Sequence, residues 1–280
     1  MPITLTPFGN SFAAEISGIN IQSGISNEQF LQIHKAFLKH KVLVFRKQPL
    51  SDDAHQNFGT LFGELDGHIN KSTRHKQLPS VQVFSNVKAN GETTGKHPEK
   101  GTQVWHTDKS YTATPSLTTI LRSPEIANVG GDTLFANMTS AYETLSNELK
   151  TAIQNLFAVH DWARSREKSN ERPATPEELR AAPPVQHPIV RTHPETGQKA
   201  LYIGNHSSHI VDMERSEGEA MLADLEAHAT HPDLIYRHKW QVDDVLMWDN
   251  RCTMHCVEPY DAAKEKRSVH RVVVKGDRPY

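Results

Sequence analysis

His106 and Asp108 stand two residues apart in Trp105-His106-Thr107-Asp108, and His255 lies far downstream in Trp248-Asp249-Asn250-Arg251-Cys252-Thr253-Met254-His255. Two neutral imidazoles and one carboxylate can grip a metal ion on one face and leave the opposite face open. Non-haem Fe(II) sites that must admit further ligands use such a set. In extended backbone, residues i and i+2 share a face, so His106 and Asp108 can close on one ion while Thr107 points away. The flanks Val104-Trp105 and Ser110-Tyr111 favour a strand or the end of one. An ordinary surface strand can carry the same triplet with both polar groups in water. What raises the motif above that is His255 together with a basic tail. Arg267 and Arg271 stand four positions apart in Arg267-Ser268-Val269-His270-Arg271, on one face of an extended segment. Arginines on a terminal strand can also simply guard an edge against aggregation.

Cys252 and Cys256 flank His255. A closed zinc site would want a fourth ligand and a turn-forming loop, whereas this segment reads as a strand with His255 and Cys256 on opposite faces. Both cysteines therefore read as small buried apolar residues. A zinc hydrolase with two His, one Asp and a water stays open as another class, but it gives Arg267 and Arg271 no task.

The elements that must hold these groups fit a chain of 280 residues, enough for one large domain or two small ones. A hydrophobic content of 36% with a mean hydropathy of −0.59 describes a soluble globular protein. A net charge of −2 and a pI near 6.8 supply no global field toward nucleic acid or an anionic membrane, so neither is expected as a partner. No apolar run is long enough to span a bilayer. Met1-Pro2-Ile3-Thr4-Leu5-Thr6-Pro7 lacks the marks of a signal peptide, and two cysteines do not make a disulfide framework, so a cytoplasmic location is expected.

Along the chain the first part reads strand, helix, strand, helix. A strand is expected over 16–21, a helix capped by Asn27, a buried strand over 41–45 and a helix opened by Ser51. Residues 66–80 read as a loop, 81–84 as a strand and 89–101 as a polar loop suited to a lid. Short strands follow at 117–121, 133–136, 158–162, 189–192, 200–203, 235–241, 245–248 and 268–274, with helices at 140–157 and 217–230. The charged, proline-bearing stretch 164–184 has no clear periodicity and reads as an insertion or lid within a single domain spanning 1–280. Many short strands with outlying helices imply a mainly β fold with flanking helices, a rolled sheet or sandwich.

With these residues in place, the chain resembles the family of Fe(II)/2-oxoglutarate-dependent dioxygenases that includes taurine dioxygenase and 2,4-dichlorophenoxyacetate dioxygenase. The likeness runs through Lys41-Val42-Leu43-Val44-Phe45-Arg46, Phe62-Gly63-Glu64-Leu65, Trp105-His106-Thr107-Asp108, Gly130-Gly131-Asp132-Thr133-Leu134-Phe135, His187-Pro188-Ile189-Val190-Arg191-Thr192-His193-Pro194, Trp248-Asp249-Asn250-Arg251 and His270-Arg271. It implies a double-stranded β-helix, a cupin-like jelly roll with the metal in its mouth. It further implies Fe(II) on His106, Asp108 and His255, 2-oxoglutarate on Arg267 with help from the Thr133 hydroxyl, and O₂ as the second cosubstrate. A guanidinium suits the diacid because its parallel donors match a carboxylate and it keeps its charge when buried.

The same resemblance assigns Arg271 to the anionic head of a small organic substrate. Ile203-Gly204-Asn205-His206-Ser207-Ser208-His209 looks like the aryloxyacetate branch and puts His206 in the substrate pocket, although most of the 17 histidines must be ordinary surface residues. The taurine branch would add His68, and Asn86 is expected to line the same pocket. Lys109, beside Asp108, is expected to point away from the metal. An aryloxy- or alkyl-carboxylate is the first expectation for substrate, and a sulfonate or sulfate ester the second. Hydroxylation at a carbon that bears an ether oxygen or a sulfonate would give a product that falls apart. A cupin-like metal sensor without turnover is a further class, which would have no use for the Arg267 clamp. Family members are often dimers or larger, so a homo-oligomer is an expectation.

Overall fold

The computed structural model describes residues 3–67 and 73–280. Its backbone is one large sheet facing a smaller one. The large sheet has seven strands in the order Thr4–Pro7, Ala13–Ser17, Val42–Phe45, Val245–Asp249, Ser116–Glu125, Ser268–Lys275, Gln82–Ser85. All neighbours are antiparallel except Ala13–Ser17 and Val42–Phe45, which run parallel because helix Asn27–His40 crosses between them. The facing sheet pairs Ile235–His238, Thr133–Asn137 and Thr253–Val257.

Central strands of the large sheet are apolar on both faces because both are covered. Leu43, Phe45, Ile120, Met247 and Val272 face helices Asn27–His40 and Asp52–Thr60 and pack with Ile33, Phe37 and Phe58. The alternate residues Val42, Val44, Leu121, Leu246 and Trp248 face inward and pack with Phe135 and Tyr236 of the facing sheet. Thr119 and Arg271 share the inward parity, since Arg271 pairs with Leu121 and Val273 with Thr119. The space between the sheets is therefore where polar side chains from several strands can converge.

Several local expectations shift. Helix Asn27–His40 is capped by Ser26 rather than Asn27, with Ser26 and Gln29 forming a reciprocal capping box. Ser51 caps helix Asp52–Thr60 as expected. The helix expected over 140–157 is two helices, Met138–Glu143 and Asn147–Ile153. Ser146 restarts the second, and Phe157–His160 becomes a strand held between Val185–Pro188 and Ser207–Ile210. The stretch 164–184 is more ordered than its composition implies. Asp161 caps helix Trp162–Lys168, and a Thr175/Glu178 capping box opens helix Pro176–Ala181. Helices of two turns are too short for hydrophobic periodicity to reveal. Among the described residues no helix is long and apolar enough to cross a membrane.

Candidate active site

The His106 segment meets the facing sheet by a single bridge. His106 N donates to His255 O (3.0 Å) and His255 N donates to His106 O (2.9 Å), which brings the two rings to 4.2 Å between centroids. Beyond the bridge the chain turns, with Lys109 at φ 56°, so H-x-D is the end of an extended stretch and not the middle of a strand. Thr107 Oγ1 donates to Thr253 O (3.1 Å), away from the ligands. Asp108 Oδ1 lies 3.9 Å from His106 Nε2, and its Oδ2 lies 3.7 Å from His255 Nε2. These spacings are too long for hydrogen bonds and short enough for one ion to draw together. All three side chains are buried.

The surroundings set the protonation states that a metal requires. His106 Nδ1 donates to Val104 O (2.8 Å), which leaves the Nε2 lone pair for the site. Burial lowers the pKa of both His106 and His255, against the opposing pull of Asp108, and keeps them neutral. Burial pushes the Asp108 carboxyl up, but the Arg271 guanidinium and the hydrogen bond from Thr119 outweigh it and hold the group well below the usual carboxylate range. A chain of donors orients it. Asn250 Nδ2 donates to Thr119 Oγ1 (3.0 Å), and Thr119 Oγ1 donates to Asp108 Oδ2 (2.6 Å). Asn250 Oδ1 accepts from Trp248 Nε1 (3.1 Å) and Asp108 N (3.3 Å). Arg271 Nη1 donates to Asp108 Oδ1 (2.9 Å), so both carboxylate oxygens are engaged from behind.

Two cavities open on this centre. One is lined by Leu121, Thr133, Trp248, His255, Arg267 and Val269, with His97 from the loop above. Arg267 is buried, forms no ion pair among the described residues, and its Nη2 has no hydrogen-bond partner. Burial pulls its pKa down to about 10. Its guanidinium sits 5.9 Å from the Trp240 ring and 6.0 Å from the Tyr260 ring. A buried cation without an anion is costly, and a carboxylate would suit this place. Thr133 Oγ1 accepts from Trp240 Nε1 (3.0 Å), which leaves the hydroxyl hydrogen free to donate. Gly131 at φ 75° lets the Arg267 side chain pass, since a Cβ there would stand 3.3 Å from Arg267 Cδ.

The other cavity is lined by His106, Asp108 and Arg271 together with Tyr111, Trp162 and His206. His206 Nδ1 is 3.0 Å from Ser110 Oγ, and burial lowers the His206 pKa to about 3. Lys109 lines this cavity too, but its ammonium turns to Asp66 Oδ2 and Gly67 O. The stretch 164–184 supplies Ser165, Arg166 and Glu171. Glu171 pairs with Arg166 (2.7 Å) and accepts from Gly101 N (2.7 Å), which ties the 89–101 loop to that stretch.

One family model, the taurine catabolism dioxygenase TauD, TfdA family, matches residues 4–273. The chain belongs to the TauD/TfdA family. It is an oxidoreductase that uses Fe(II) and 2-oxoglutarate. Among family members it is 32% identical over 285 residues to the alpha-ketoglutarate-dependent 2,4-dichlorophenoxyacetate dioxygenase of Cupriavidus pinatubonensis, covering 99% of both chains. It is 32% identical over 272 residues to the alkylsulfatase of Acinetobacter baylyi, covering 94% of this chain and 82% of that one. The crystal structure of AAD-2 in complex with Mn(II) and N-oxalylglycine superposes with a TM-score of 0.86 at 32% identity, over 100% of this chain and 99% of that one. The donor set suits the TauD/TfdA metal: two neutral imidazoles whose Nε2 atoms make no hydrogen bond, and a carboxylate held ionised. The unpaired Arg267 suits the diacid cosubstrate.

Other expected residues fall differently in this TauD/TfdA chain. Asn86, expected on the substrate wall, is fully buried and lines neither cavity. Its side chain donates to Ala262 O (3.1 Å) and Glu265 O (2.8 Å) and accepts from Arg267 N (2.8 Å), so it positions Arg267 by clamping the segment before it. His68 lies outside the described residues. Asp249 is engaged outside the triad, in a separate buried group with His193 and Cys252. Arg251 donates to both its oxygens (2.8 and 2.7 Å), and its Oδ2 also lies 3.0 Å from His193 Nε2. Cys252 and Cys256 are buried free thiols.

Gln82, Thr119, Glu99 and His97 were not singled out in the sequence. Gln82 Oε1 accepts from Arg271 Nε (2.9 Å) and Nη2 (2.7 Å), a cross-strand contact that only the register between Gln82–Ser85 and Ser268–Lys275 reveals. For Thr119 the one linear signal was its polarity inside an apolar run.

Proposed function

We propose that this dioxygenase hydroxylates a small organic acid whose anionic head is held by Arg271, with carboxylates as the first substrate class. The observation that carries this reading is the difference between two arginines beside one triad. Arg267 lines a single cavity and has no ion pair among the described residues, whereas Arg271 lines both cavities and is already held by Asp108 and Gln82. Of the five N–H donors of Arg271, three are spent on Gln82 and Asp108, which leaves two for a ligand. We read the two facing sheets as the walls of a double-stranded β-helix, and the whole of 1–280 as one catalytic domain.

His106, Asp108 and His255 would hold Fe(II), while Arg267 and Thr133 would hold the far carboxylate of 2-oxoglutarate. The metal would supply open coordination for O₂, the oxidant, and for 2-oxoglutarate, whose conversion to succinate and CO₂ would accompany hydroxylation of the substrate carbon. The protein supplies position. Arg271, fixed by Gln82, sets the distance from the anionic head to the triad. The Asn250–Thr119 relay keeps the Asp108 oxygens pointed into the site. Tyr111, Trp162 and His206 enclose the reacting carbon.

The likeness to a 2,4-dichlorophenoxyacetate dioxygenase supports a carboxylate head, and the likeness to an alkylsulfatase keeps a sulfate ester as second reading. A succinate-release screen with Fe(II), 2-oxoglutarate and O₂ tests both against aryloxyacetates, aryloxypropionates, alkyl sulfonates and sulfate esters. Stimulation by the carboxylates is expected. Stimulation by sulfate esters alone would replace the first reading with the second, and uniform indifference to every acid would sink both.

A further inference from the structure

The cavity that holds Arg267 contains a second buried donor without a partner among the described residues. His97 lines it from the loop above, and His97 Nε2 is buried with no hydrogen bond. The other ring nitrogen is engaged, since His97 Nδ1 accepts from Glu99 N (3.3 Å). Burial and the nearby Arg267 guanidinium push the His97 pKa down to about 4, so near neutral pH the ring carries a single proton. With Nδ1 accepting, that proton sits on Nε2. Tyr260 holds the imidazole beside the guanidinium. Its ring centroid lies 5.1 Å from that of His97 and 6.0 Å from Arg267 Cζ.

We propose that His97 is a further cosubstrate-binding residue, whose Nε2–H donates to the same far carboxylate of 2-oxoglutarate as Arg267 and Thr133. This rests on the reading of Arg267 and Thr133 as the holders of that carboxylate and adds a donor from the loop. A carboxylate offers about four acceptor positions on its two oxygens. A guanidinium meeting it with parallel donors fills two of them and the Thr133 hydroxyl a third, so a place is left for one more N–H. The charges also balance. One Arg267 cation answers one carboxylate, and the remaining two donors are neutral. A second cation in this buried place would be left uncompensated, whereas a neutral imidazole adds a directed bond and no charge.

The loop carries His97 on braced backbone. Glu99 O accepts from Thr102 Oγ1 (2.8 Å) and Thr102 N (3.4 Å), and Gly101 N donates to Glu171 Oε1 (2.7 Å). A donor already held near its working position loses little freedom when the ligand arrives. An Nε2–H that met only water would make no difference to how tightly the diacid binds.

The test is anaerobic calorimetry on the full chain loaded with Fe(II). It is titrated with 2-oxoglutarate and with 2-oxopentanoate, which carries a methyl group in place of the far carboxylate. His97→Phe keeps an aromatic ring against Tyr260 and removes the donor. It should weaken 2-oxoglutarate by about tenfold or more, the scale of a hydrogen bond to a charged group. 2-Oxopentanoate should bind no more weakly than before. His97→Gln, whose amide supplies an N–H at similar reach, should recover most of the loss. The proposal is overturned if His97→Phe binds 2-oxoglutarate as the wild type does or weakens both oxoacids by the same factor. A His97→Gln variant no tighter than His97→Phe overturns it too. If instead Arg267→Ala leaves the preference for 2-oxoglutarate over 2-oxopentanoate intact, it is the Arg267 reading beneath the proposal that has failed.

Discussion

The two cavities share His106, Glu99, Thr102 and Arg271, yet they are built from different material. The side that holds Arg267, proposed for the cosubstrate, is walled mostly by strands. Leu121, Thr133, Trp248, His255 and Val269 all sit in paired segments whose register is set by two sheets. The substrate side is walled by the loop around Glu99 and Gly101, the turn after Asp108, and helix Trp162–Lys168. Strand positions cannot slip without turning every side chain to the other face, whereas loops and short helices can change their residues at little cost to the sheet. A reaction that always consumes the same diacid therefore gains from the rigid side. On the proposed assignment, substrate choice falls to the side that can vary.

The largest expected effect breaks both sides together. Asp108→Ala removes the anionic ligand they share, and oxygen uptake and succinate release should fall to background while circular dichroism stays native. Retained turnover would remove Asp108 from the metal site. Separating the sides comes next. Arg267→Ala should raise the 2-oxoglutarate requirement by about a hundredfold or more, the scale of losing a buried charge-assisted contact, and leave acid binding nearly intact. Arg271→Ala should do the reverse in titrations of the two ligands. A swapped pair of phenotypes would exchange the assignments of the cavities.

A smaller effect tests the relay behind the triad. Thr119→Val keeps the volume and removes the donor to Asp108 Oδ2. Fe(II) affinity, followed by metal-dependent thermal shift, should drop by about tenfold to a hundredfold, with both arginines still functional. Unchanged affinity would show that Asn250 and Arg271 suffice. The smallest effect reports on the sheet itself. His55, packed behind it with Nε2 3.1 Å from Ile120 O, is pushed by burial down to about 3. Below about pH 6.5 the unfolded chain gains a proton that the folded chain refuses. Its contribution to stability is therefore full above that pH and is lost as pH falls toward 3, by at most about 1.4 kcal/mol per pH unit. The unfolding free energy of wild type minus that of His55→Gln should shrink on acidification. A pH-independent difference would place His55 in water.

His106 and Asp108 were legible as a pair because i and i+2 share a face of extended backbone, while His255, far along the chain, joins them through its bridge to His106. The roles proposed for Arg267 and Arg271 came with the family resemblance and not from their spacing. Strand positions were likewise legible from apolar runs such as Val42–Phe45 and Val245–Asp249. The two helices in 164–184 were not, because two turns carry no periodicity and their order comes from capping and packing. Asn86 shows the other limit. A polar residue beside a predicted pocket reads as lining, and only the backbone groups of Ala262, Glu265 and Arg267 reveal that its amide is fully occupied elsewhere. Gln82 on Arg271, Thr119 on Asp108 and His97 in the Arg267 cavity are all products of register and loop packing across large sequence separations. Residue type states what a side chain can bond. Which bonds are already made, and which are left for a ligand, is decided only when distant segments come within hydrogen-bond reach.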